Sequence, residues 1–240
     1  MGRVALVTGG TRGIGQGIAI ALKNAGYKVA ANYGGDDKAA AAFTAETGIP
    51  AYKFDVANFK ACEVGVKRVV DDLGPVEVLV NNAGITRDSV LHRMTPENWD
   101  AVIQTNLTSC FNMCRLVIDG MRERGFGRIV SIGSINGQAG QYGQVNYAAA
   151  KSGLHGFTKA LAQEGAAKGI TVNAIAPGYI DTDMVRSVPA NVLEKIVGRI
   201  PAGRLGHSGE IARGVLFLVA DEATFITGST LSINGGQHMY

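Results

Sequence analysis

Short apolar runs alternate with longer amphipathic stretches along the whole 240-residue chain. Seven runs have the length and β-branched content of buried strands, at 4–8, 28–33, 51–55, 77–81, 128–132, 171–176 and 229–233. Six stretches between them have helical length, at 13–25, 36–47, 58–73, 95–119, 145–168 and 208–220. Continuous apolar strands that alternate with helices predict a single α/β domain over residues 1–240, with a parallel sheet covered by helices on both faces.

The stretch from about Gly178 to Gly206 interrupts this alternation. It contains Pro189 and Pro201 and has no clear strand. Long insertions in compact domains often act as lids or binding loops. We therefore expect this segment, 178–206, to cover the substrate.

Composition and charge exclude several classes of protein. Glycine supplies 33 of the 240 residues without a collagen-like period, which predicts tight turns and close backbone approaches. The net charge is only +3 and no Lys/Arg run is present, which argues against nucleic-acid binding. No run of about 18 apolar residues predicts a membrane span. Arg3 already begins a predicted strand, so we expect no signal peptide.

Cysteine and histidine spacing predicts no metal site. Cys62, Cys110 and Cys114 lack metal-ligand spacing and fit core packing, which indicates a reducing compartment such as the cytoplasm. The four histidines are scattered along the chain, at His92, His155, His207 and His238.

A glycine-rich turn follows the first predicted strand and opens the first helix. Its spacing, G-x-x-x-G-x-G over 9–15, occurs where an α/β sheet binds a pyrophosphate against free backbone N–H groups. A tight turn without a ligand would explain the same glycines. The candidate cofactor-binding residues here are Gly9, Thr11, Arg12, Gly13, Ile14 and Gly15.

The end of the second strand predicts which nicotinamide cofactor is preferred. Sites for NAD usually place a carboxylate there to bind the ribose 2′-hydroxyl. Here the strand ends in Asn32-Tyr33 without a carboxylate, and Asp36 comes later. Arg12 could pair with a 2′-phosphate, so Arg12 and Asn32 together predict NADPH rather than NADH. A solvated loop cation is the alternative interpretation of Arg12.

Two further strand ends carry candidate cofactor contacts. Asp55 and Val56 follow the third strand, where the carboxylate could accept a hydrogen bond from the adenine amine or could cap a helix. Asn82, Ala83 and Gly84 follow the fourth strand and predict a shaped backbone turn against the cofactor.

Tyr147, Lys151 and Ser134 predict a proton-transfer site. Tyr147 and Lys151 are four residues apart and share one helix face. A cation within about 4–6 Å lowers a phenol pKa by about 1–3 units from its usual value of about 10. Ser134 ends the fifth strand, where its hydroxyl could reach the same substrate oxygen. An incidental surface pair is the alternative for Tyr147 and Lys151, but it does not explain the nearby nucleotide loop.

In this order and spacing, these motifs resemble the short-chain dehydrogenase/reductase family over essentially the whole chain. The matching positions are Thr8–Gly15, Asn81–Gly84, Asn106, Ser134, Tyr147, Lys151 and Pro177-Gly178. The resemblance implies a Rossmann-type doubly wound sheet of seven parallel strands, ordered 3-2-1-4-5-6-7, and usually a homotetramer. It also implies cofactor contacts from Pro177, Gly178 and Ile180.

The resemblance implies a role for each catalytic position. Tyr147 would be the general acid in reduction, and Lys151 would bind the nicotinamide-ribose hydroxyls and lower the pKa of Tyr147. Ser134 would orient the substrate carbonyl. Asn106 would hold a water that feeds a proton relay, although its neighbours in the sequence predict only an ordinary helix.

Within the family, the strings 134–138, 140–147 and 234–237 are similar to NADPH-dependent reductases that convert acetoacetyl-CoA to (R)-3-hydroxybutyryl-CoA in polyhydroxybutyrate synthesis. The similarity implies that Gln141, Gln144, Tyr179 and Asp88 bind the acyl-CoA substrate. Carboxamides can donate to a thioester oxygen without adding charge, but glutamines that merely solvate a loop would also fit.

Two alternatives stay open at this point. A 3-oxoacyl-[acyl-carrier-protein] reductase would use the same fold and chemistry, and would need a basic docking patch such as Arg122, Arg124 and Arg128. A non-catalytic NADP(H)-binding sensor is more remote, because Tyr147, Lys151 and Ser134 are all present.

Overall fold

The computed structural model describes residues 2–186 and 188–239. Its centre is one parallel sheet in the order β3-β2-β1-β4-β5-β6-β7, which confirms the predicted fold class. The strands are β1 (Val4–Val7), β2 (Lys28–Tyr33), β3 (Ala51–Lys53), β4 (Val76–Asn81), β5 (Gly127–Ile132), β6 (Ile170–Pro177) and β7 (Thr230–Ile233).

Helices cover both faces of this sheet. They are α1 (Gly13–Asn24), α2 (Asp37–Thr47), α3 (Phe59–Leu73), α4 (Pro96–Ile103), α5 (Ser109–Arg124), α6 (Ile135–Ala139), α7 (Val145–Ala166), α8 (Asp183–Arg186), α9 (Ala190–Val197) and α10 (Ser208–Val219). Leu91–Arg93 forms one 3₁₀ turn.

The alternation of side chains in β1 shows how the two cores form. Ala5 and Val7 pack with α1 and α10 on one face, while Val4 and Leu6 pack with α3 and α5 on the other. All four residues are buried, as expected for a central strand of a doubly wound sheet.

The helix predicted over 95–119 differs from the observed one. The structure has α4, a π-turn at Gln104–Thr108, and α5, which ends at Arg124. Gly125 ends α5 with a positive φ of 64°, a conformation that glycine adopts readily. The π-turn matters for the site because it contains Asn106.

The segment 178–206 contains α8 and α9, which the sequence pattern did not predict; Ser187 within it lies outside the described residues. Its two ends are joined at the base. Gly206 N–H donates to the Tyr179 carbonyl at 2.9 Å, and Asp181 N–H donates to the Gly206 carbonyl at 2.8 Å. The segment therefore leaves and re-enters the fold at one place.

The strand order reverses direction between β1 and β4. In such a sheet, ligands bind in the crevice outside the carboxyl ends of the strands at this switch point. The chain segments that follow β1, β4, β5 and β6 carry the predicted site residues. No helix in the described ranges is long and apolar enough to cross a bilayer.

Candidate active site

The N-terminus of α1 is left without a side-chain cap. Helices α2, α3 and α4 are capped by Asp36, Asn58 and Thr95, whereas Arg12 at the start of α1 forms no capping bond. The first turn of α1 also has no acidic residue. Its free N–H groups and the helix dipole therefore suit an anionic group such as a pyrophosphate.

The glycines around this turn allow very close packing. A Cβ on Gly15 would lie 2.1 Å from the Gly9 carbonyl oxygen and 2.5 Å from Asn82 Nδ2. Gly9 and Gly13 have positive φ values of 59° and 55°. These glycines are therefore required by the fold of the loop as well as by any ligand that approaches it.

Thr8 and Asn82 fix the end of β4 against this loop. Thr8 Oγ1 accepts hydrogen bonds from the N–H groups of Asn82 and Ala83 at 2.9 and 3.0 Å. Asn82 Nδ2 donates to the carbonyls of Thr8 and Gly9 at 2.9 and 3.1 Å. The Asn82 side chain therefore joins the end of β4 to the glycine loop, and the role of Asn82-Ala83-Gly84 toward a cofactor stays a prediction.

Asn32 has a structural role within the loop. Its side chain is 1% exposed, its Nδ2 donates to the Phe54 carbonyl at 2.8 Å, and its Oδ1 accepts from Gly9 N–H at 3.3 Å. The Asn32 side chain was predicted to help select the cofactor, but its hydrogen bonds connect β2 to β3 and to the glycine loop.

The Arg12 side chain is exposed beside the same loop and forms no hydrogen bond or ion pair with the residues that the structure describes. The nearby carboxylates are already engaged. Asp36 caps α2, and Asp37 accepts from Lys53 Nζ at 2.7 Å. Arg12 is therefore a cation at this edge that is free to meet a phosphate.

The remaining predicted cofactor residues line the same edge. Asp55 is exposed, and its Oδ1 accepts from Ala57 N–H at 2.9 Å, so it caps a local turn while Asn58 caps α3. Val56 is buried.

On the opposite side, Pro177 ends β6 and Gly178 packs against Asn234, where a Cβ would lie 2.9 Å from Asn234 Cα. Ile180 is 4% exposed in the first core. Thr182 lies 3.6 Å from the Cβ position of Gly13, which brings the segment 178–206 to the glycine loop.

Ser134, Tyr147 and Lys151 converge at the end of β5. Ser134 caps the N-terminus of α6, where its Oγ accepts from Asn136 N–H at 3.1 Å, so its own proton remains available to donate. Lys151 Nζ lies 5.7 Å from the centre of the Tyr147 ring and donates to the Ile132 carbonyl at 2.8 Å. The predicted trio is therefore brought together.

The electrostatics of this trio differ from the prediction that Lys151 lowers the pKa of Tyr147. Burial raises the pKa of Tyr147, a hydrogen bond with Ser134 opposes that effect, and Asp88 raises the pKa further. Burial lowers the pKa of Lys151 to about 8, which the nearby Cys110 partly opposes. In the chain itself Tyr147 is held in its protonated form, as a proton donor requires.

Asn106 is fully buried, and its side chain forms two bonds with one residue. Its Oδ1 accepts from Ile85 N–H at 2.8 Å, and its Nδ2 donates to the Ile85 carbonyl at 2.9 Å. A Cβ on Gly84 would lie 3.3 Å from Asn106 Oδ1 and 3.7 Å from Lys151 Nζ. Asn106 thus lies near the Lys151 ammonium group, and its side chain is bonded to the loop after β4.

Three of the four predicted substrate residues interact with one another, namely Asp88, Gln144 and Tyr179. Gln144 Nε2 donates to Asp88 Oδ2 at 2.8 Å, and the charge of Asp88 raises the pKa of both Tyr147 and Tyr179. Tyr179 follows β6 on the same side of the site. Gln141 is exposed and forms no side-chain bond with this group within the described ranges.

Asn136 and Cys110 are site residues that the sequence analysis missed. Asn136 Nδ2 donates to Gln144 Oε1 at 2.9 Å, and Cys110 lies close enough to influence Lys151. Only the position of Asn136, two residues after Ser134, could have indicated its role. No metal-binding group of three His, Cys, Asp or Glu side chains exists among residues 2–186 and 188–239.

Known proteins match the sequence over nearly the whole chain. The family model described as Enoyl-(Acyl carrier protein) reductase matches residues 9–238. An acetoacetyl-CoA reductase of Rhizobium meliloti (strain 1021) is 66% identical over 239 residues, 99% of each chain. One of Shinella zoogloeoides is 67% identical over 238 residues, also 99% of each. The 3-oxoacyl-[acyl-carrier-protein] reductase FabG of Escherichia coli (strain K12) is 45% identical over 240 residues, 99% of this chain and 98% of its own.

Proposed function

The chain belongs to the short-chain dehydrogenase/reductase family, and on that premise we propose that it reduces acetoacetyl-CoA to (R)-3-hydroxybutyryl-CoA with NADPH. The observation that carries the chemistry is the convergence of the Ser134 and Tyr147 hydroxyls beside Lys151. Two donors at one point fit the oxygen of a ketone, where negative charge develops during reduction.

The residues around the α1 N-terminus fit a dinucleotide. Its uncapped N–H groups would hold the pyrophosphate, and Arg12 would hold the 2′-phosphate, which supports NADPH over NADH. The Asn32 side chain is engaged in hydrogen bonds within the fold. The preference for NADPH therefore rests on Arg12 and on the lack of a free carboxylate at the end of β2. Bound NADPH supplies the hydride that reduces the 3-keto carbon.

Tyr147 and Ser134 have different roles at the substrate oxygen. Ser134 donates a hydrogen bond that orients the carbonyl, and Tyr147 transfers its proton to the oxygen as charge develops. Burial and the charge of Asp88 keep Tyr147 protonated until that moment. General acid catalysis of this kind contributes about 10²–10⁴-fold to the rate.

The choice of substrate follows the relatives at 66 and 67% identity, because whole-chain identity at that level is more specific than the family description, which names an enoyl substrate. In this proposal Asp88, Gln141, Gln144 and Tyr179 face the acyl thioester, and the segment 178–206 covers it. Such an enzyme would serve polyhydroxybutyrate synthesis.

The alternative of a carrier-protein substrate loses one arginine of its suggested docking patch. Arg128 is 2% exposed and donates to the carbonyls of Gly127 and Gly169 at 2.9 and 3.2 Å. Arg124 donates to the Val76 carbonyl at 3.1 Å. Arg128 therefore cannot take part in this patch, which leaves only Arg122 and Arg124 exposed to an acidic carrier protein.

The proposal includes a homotetramer. A groove of about 720 Å³ between α5 and α7 has an apolar floor that includes Phe111, which is 51% exposed, and charged side chains also line it, namely Arg115, Asp119, Arg122 and Glu164. Apolar faces of this kind are buried in stable homo-oligomers. It also includes a cytoplasmic location, since Cys62, Cys110 and Cys114 are buried and unpaired.

A substrate panel tests the proposal. We expect kcat/KM for acetoacetyl-CoA with NADPH to exceed the values for the acetoacetyl carrier-protein thioester and for NADH. A higher value with the carrier-protein thioester would favour the 3-oxoacyl-[acyl-carrier-protein] reductase. An equal or higher value with NADH would refute the cofactor preference, and NADPH binding without turnover of either thioester would indicate a sensor.

A further inference from the structure

Asn146 lies directly before the proton donor Tyr147 and is fully buried. Its Oδ1 accepts from Tyr147 N–H at 2.8 Å, and its Nδ2 donates to the carbonyls of Arg87 and Asn98 at 3.1 and 3.2 Å. A carboxamide has two hydrogens to donate and one oxygen that accepts. Both hydrogens and the oxygen of this side chain are therefore engaged, and all three of its partners are backbone groups.

The bond to Tyr147 stabilises the start of α7. Gln144 precedes this helix and makes no side-chain bond to its first turn. The first N–H groups of a helix have no partner within the helix. Asn146 supplies an acceptor for one of these groups, and it thereby holds the backbone of the residue that carries the phenol.

The two donor bonds attach α7 to the loop after β4. Arg87 lies in that loop directly before Asp88, and Asn98 lies in the first turn of α4. Gln144 Nε2 also joins the loop to this end of α7 through Asp88 Oδ2, but that bond is exposed. Hydrogen bonds are stronger where water is excluded, so the buried bonds are the firmer attachment.

A second buried asparagine holds the same loop two residues earlier. Asn106 bonds to both backbone groups of Ile85, whereas Asn146 bonds to the carbonyl of Arg87. The loop is thus held by the π-turn on one side and by α7 on the other. Its position relative to the backbone of Tyr147 is set by Asn146.

We propose that Asn146 is a positioning residue for the reduction, which holds the loop that carries Asp88 against the backbone of Tyr147 so that the bound ketone oxygen meets the phenol. The assignment rests on the proposed reduction of a 3-oxoacyl thioester and deepens it. A misplacement of about 1 Å caused by a change outside the reacting groups can lower a rate about 10²-fold. Asn146 can therefore affect the chemistry without touching the substrate.

The variant Asn146→Ala removes all three bonds, and a matched control must remove similar bonds elsewhere. Asn173 is 1% exposed in the middle of β6, where its Nδ2 donates to the Ile226 carbonyl at 2.7 Å and its Oδ1 accepts from Ser229 N–H at 3.1 Å. Unsatisfied buried groups destabilise a fold, so Asn173→Ala should also lower the free energy of unfolding. It should not change the kcat of the folded enzyme.

A second background separates positioning from a loss of folded protein. In Tyr147→Phe the proton donor is absent, so a residue that acts by positioning this donor has little left to affect. We expect Asn146→Ala to lower kcat at least about tenfold in the wild-type background and less than about threefold in the Tyr147→Phe background. A partly unfolded enzyme would lose the same fraction of its kcat in both backgrounds.

The measurements are kcat for acetoacetyl-CoA with NADPH, the Kd for NADPH by fluorescence titration, and chemical denaturation. We expect Asn146→Ala and Asn173→Ala both to unfold at lower denaturant concentration and to keep their affinity for NADPH, while only Asn146→Ala loses kcat. Asn146→Ser keeps a hydroxyl that can donate one hydrogen bond, so it should lose less and serves if Asn146→Ala does not fold.

An unchanged kcat in the folded variants of Asn146, or an equal fall in both backgrounds, would overturn the proposal. A fall in kcat of the same size in Asn173→Ala would make the role of Asn146 merely structural and would overturn it as well. A folded wild-type enzyme that binds NADPH but reduces no 3-oxoacyl thioester would instead refute the proposed function.

Discussion

Lys151 has its ammonium group buried with one carbonyl, that of Ile132, as its hydrogen-bond acceptor. Burial lowers the pKa of Lys151 to about 8 from its usual 10.5. The folded chain therefore binds this proton less tightly than the unfolded chain. The charged lysine destabilises the fold fully below about pH 8, and this penalty decreases as the pH rises from about 8 to about 10.5.

Lys151→Met should therefore stabilise the fold at neutral pH while it abolishes activity. One pKa unit corresponds to about 1.4 kcal/mol, so burying the charged lysine costs about 3 kcal/mol. The variant regains this free energy but loses the hydrogen bond to the Ile132 carbonyl, which reduces the net gain. We expect a net gain of about 1–3 kcal/mol at pH 7 that shrinks by pH 9.5, measured by chemical denaturation. Lys159→Met, an exposed position on the same helix, should show no such dependence. A Lys151→Met variant less stable than wild type at pH 7 would contradict this account.

At the residue scale, the sequence predicted which side chains meet but not how each is used. The four-residue spacing of Tyr147 and Lys151 was enough to place them on one helix face. The Asn32 side chain bonds to Gly9 and Phe54, which are 23 and 22 residues away in the sequence. No local pattern reveals contacts at such separations. Asn136 was missed for the same reason, since its partner Gln144 is placed by another helix.

At the scale of elements, the turn between β1 and α1 is the part most sensitive to added volume. A methyl group on Gly15 would meet the Gly9 carbonyl oxygen at 2.1 Å, which forces the loop to move. Gly209 also lies in the first turn of a helix, α10, and nothing lies within 4 Å of its Cβ position.

Gly15→Ala should therefore weaken NADPH binding at least about tenfold, because displaced N–H groups no longer converge on the pyrophosphate. Gly209→Ala should leave binding within about threefold of wild type, since an alanine is well tolerated in an open helix turn. Fluorescence titration with NADPH measures both. Equal affinities in the two variants would show that the loop geometry does not determine cofactor binding.

The elements themselves were largely predictable, and their exceptions have physical causes. The strands followed from apolar runs, because a sheet buried on both faces requires them. The π-turn at Gln104–Thr108 gave no signal, since it depends on the Asn106 side chain bonding to Ile85 far from the helix. The helices α8 and α9 were missed because Pro189 and Pro201 suggested an irregular segment, whereas Pro189 directly precedes α9.

At the scale of the whole molecule, the order of the sheet came from the family resemblance rather than from periodicity. Strand lengths and hydrophobicity predict a parallel sheet but not which strand pairs with which. The observed order β3-β2-β1-β4-β5-β6-β7 brings the loops after β1, β4, β5 and β6 to one edge. That arrangement unites residues from Gly9 to Tyr179 in one site.

Assembly is the second property of the whole molecule. Four copies of the 25.1 kDa chain would have a mass of about 100 kDa. Phe111→Asp places a charge on the proposed α5–α7 interface and should shift the protein to smaller species, as measured by light scattering. Val64→Asp changes an exposed apolar residue on α3, 64% exposed, and should leave the mass unchanged. A wild-type monomer, or a Phe111→Asp variant of unchanged mass, would contradict this interface.

The central claim is that Tyr147 donates the proton in an NADPH-dependent reduction. The most direct test measures two quantities in the variant Tyr147→Phe, the kcat for acetoacetyl-CoA and the affinity for NADPH. Tyr142→Phe, which changes a phenol that is 87% exposed, serves as the control. We predict that Tyr147→Phe lowers kcat by about 10²–10⁴-fold while NADPH affinity stays within about threefold. Turnover by Tyr147→Phe close to the wild-type rate would contradict the account.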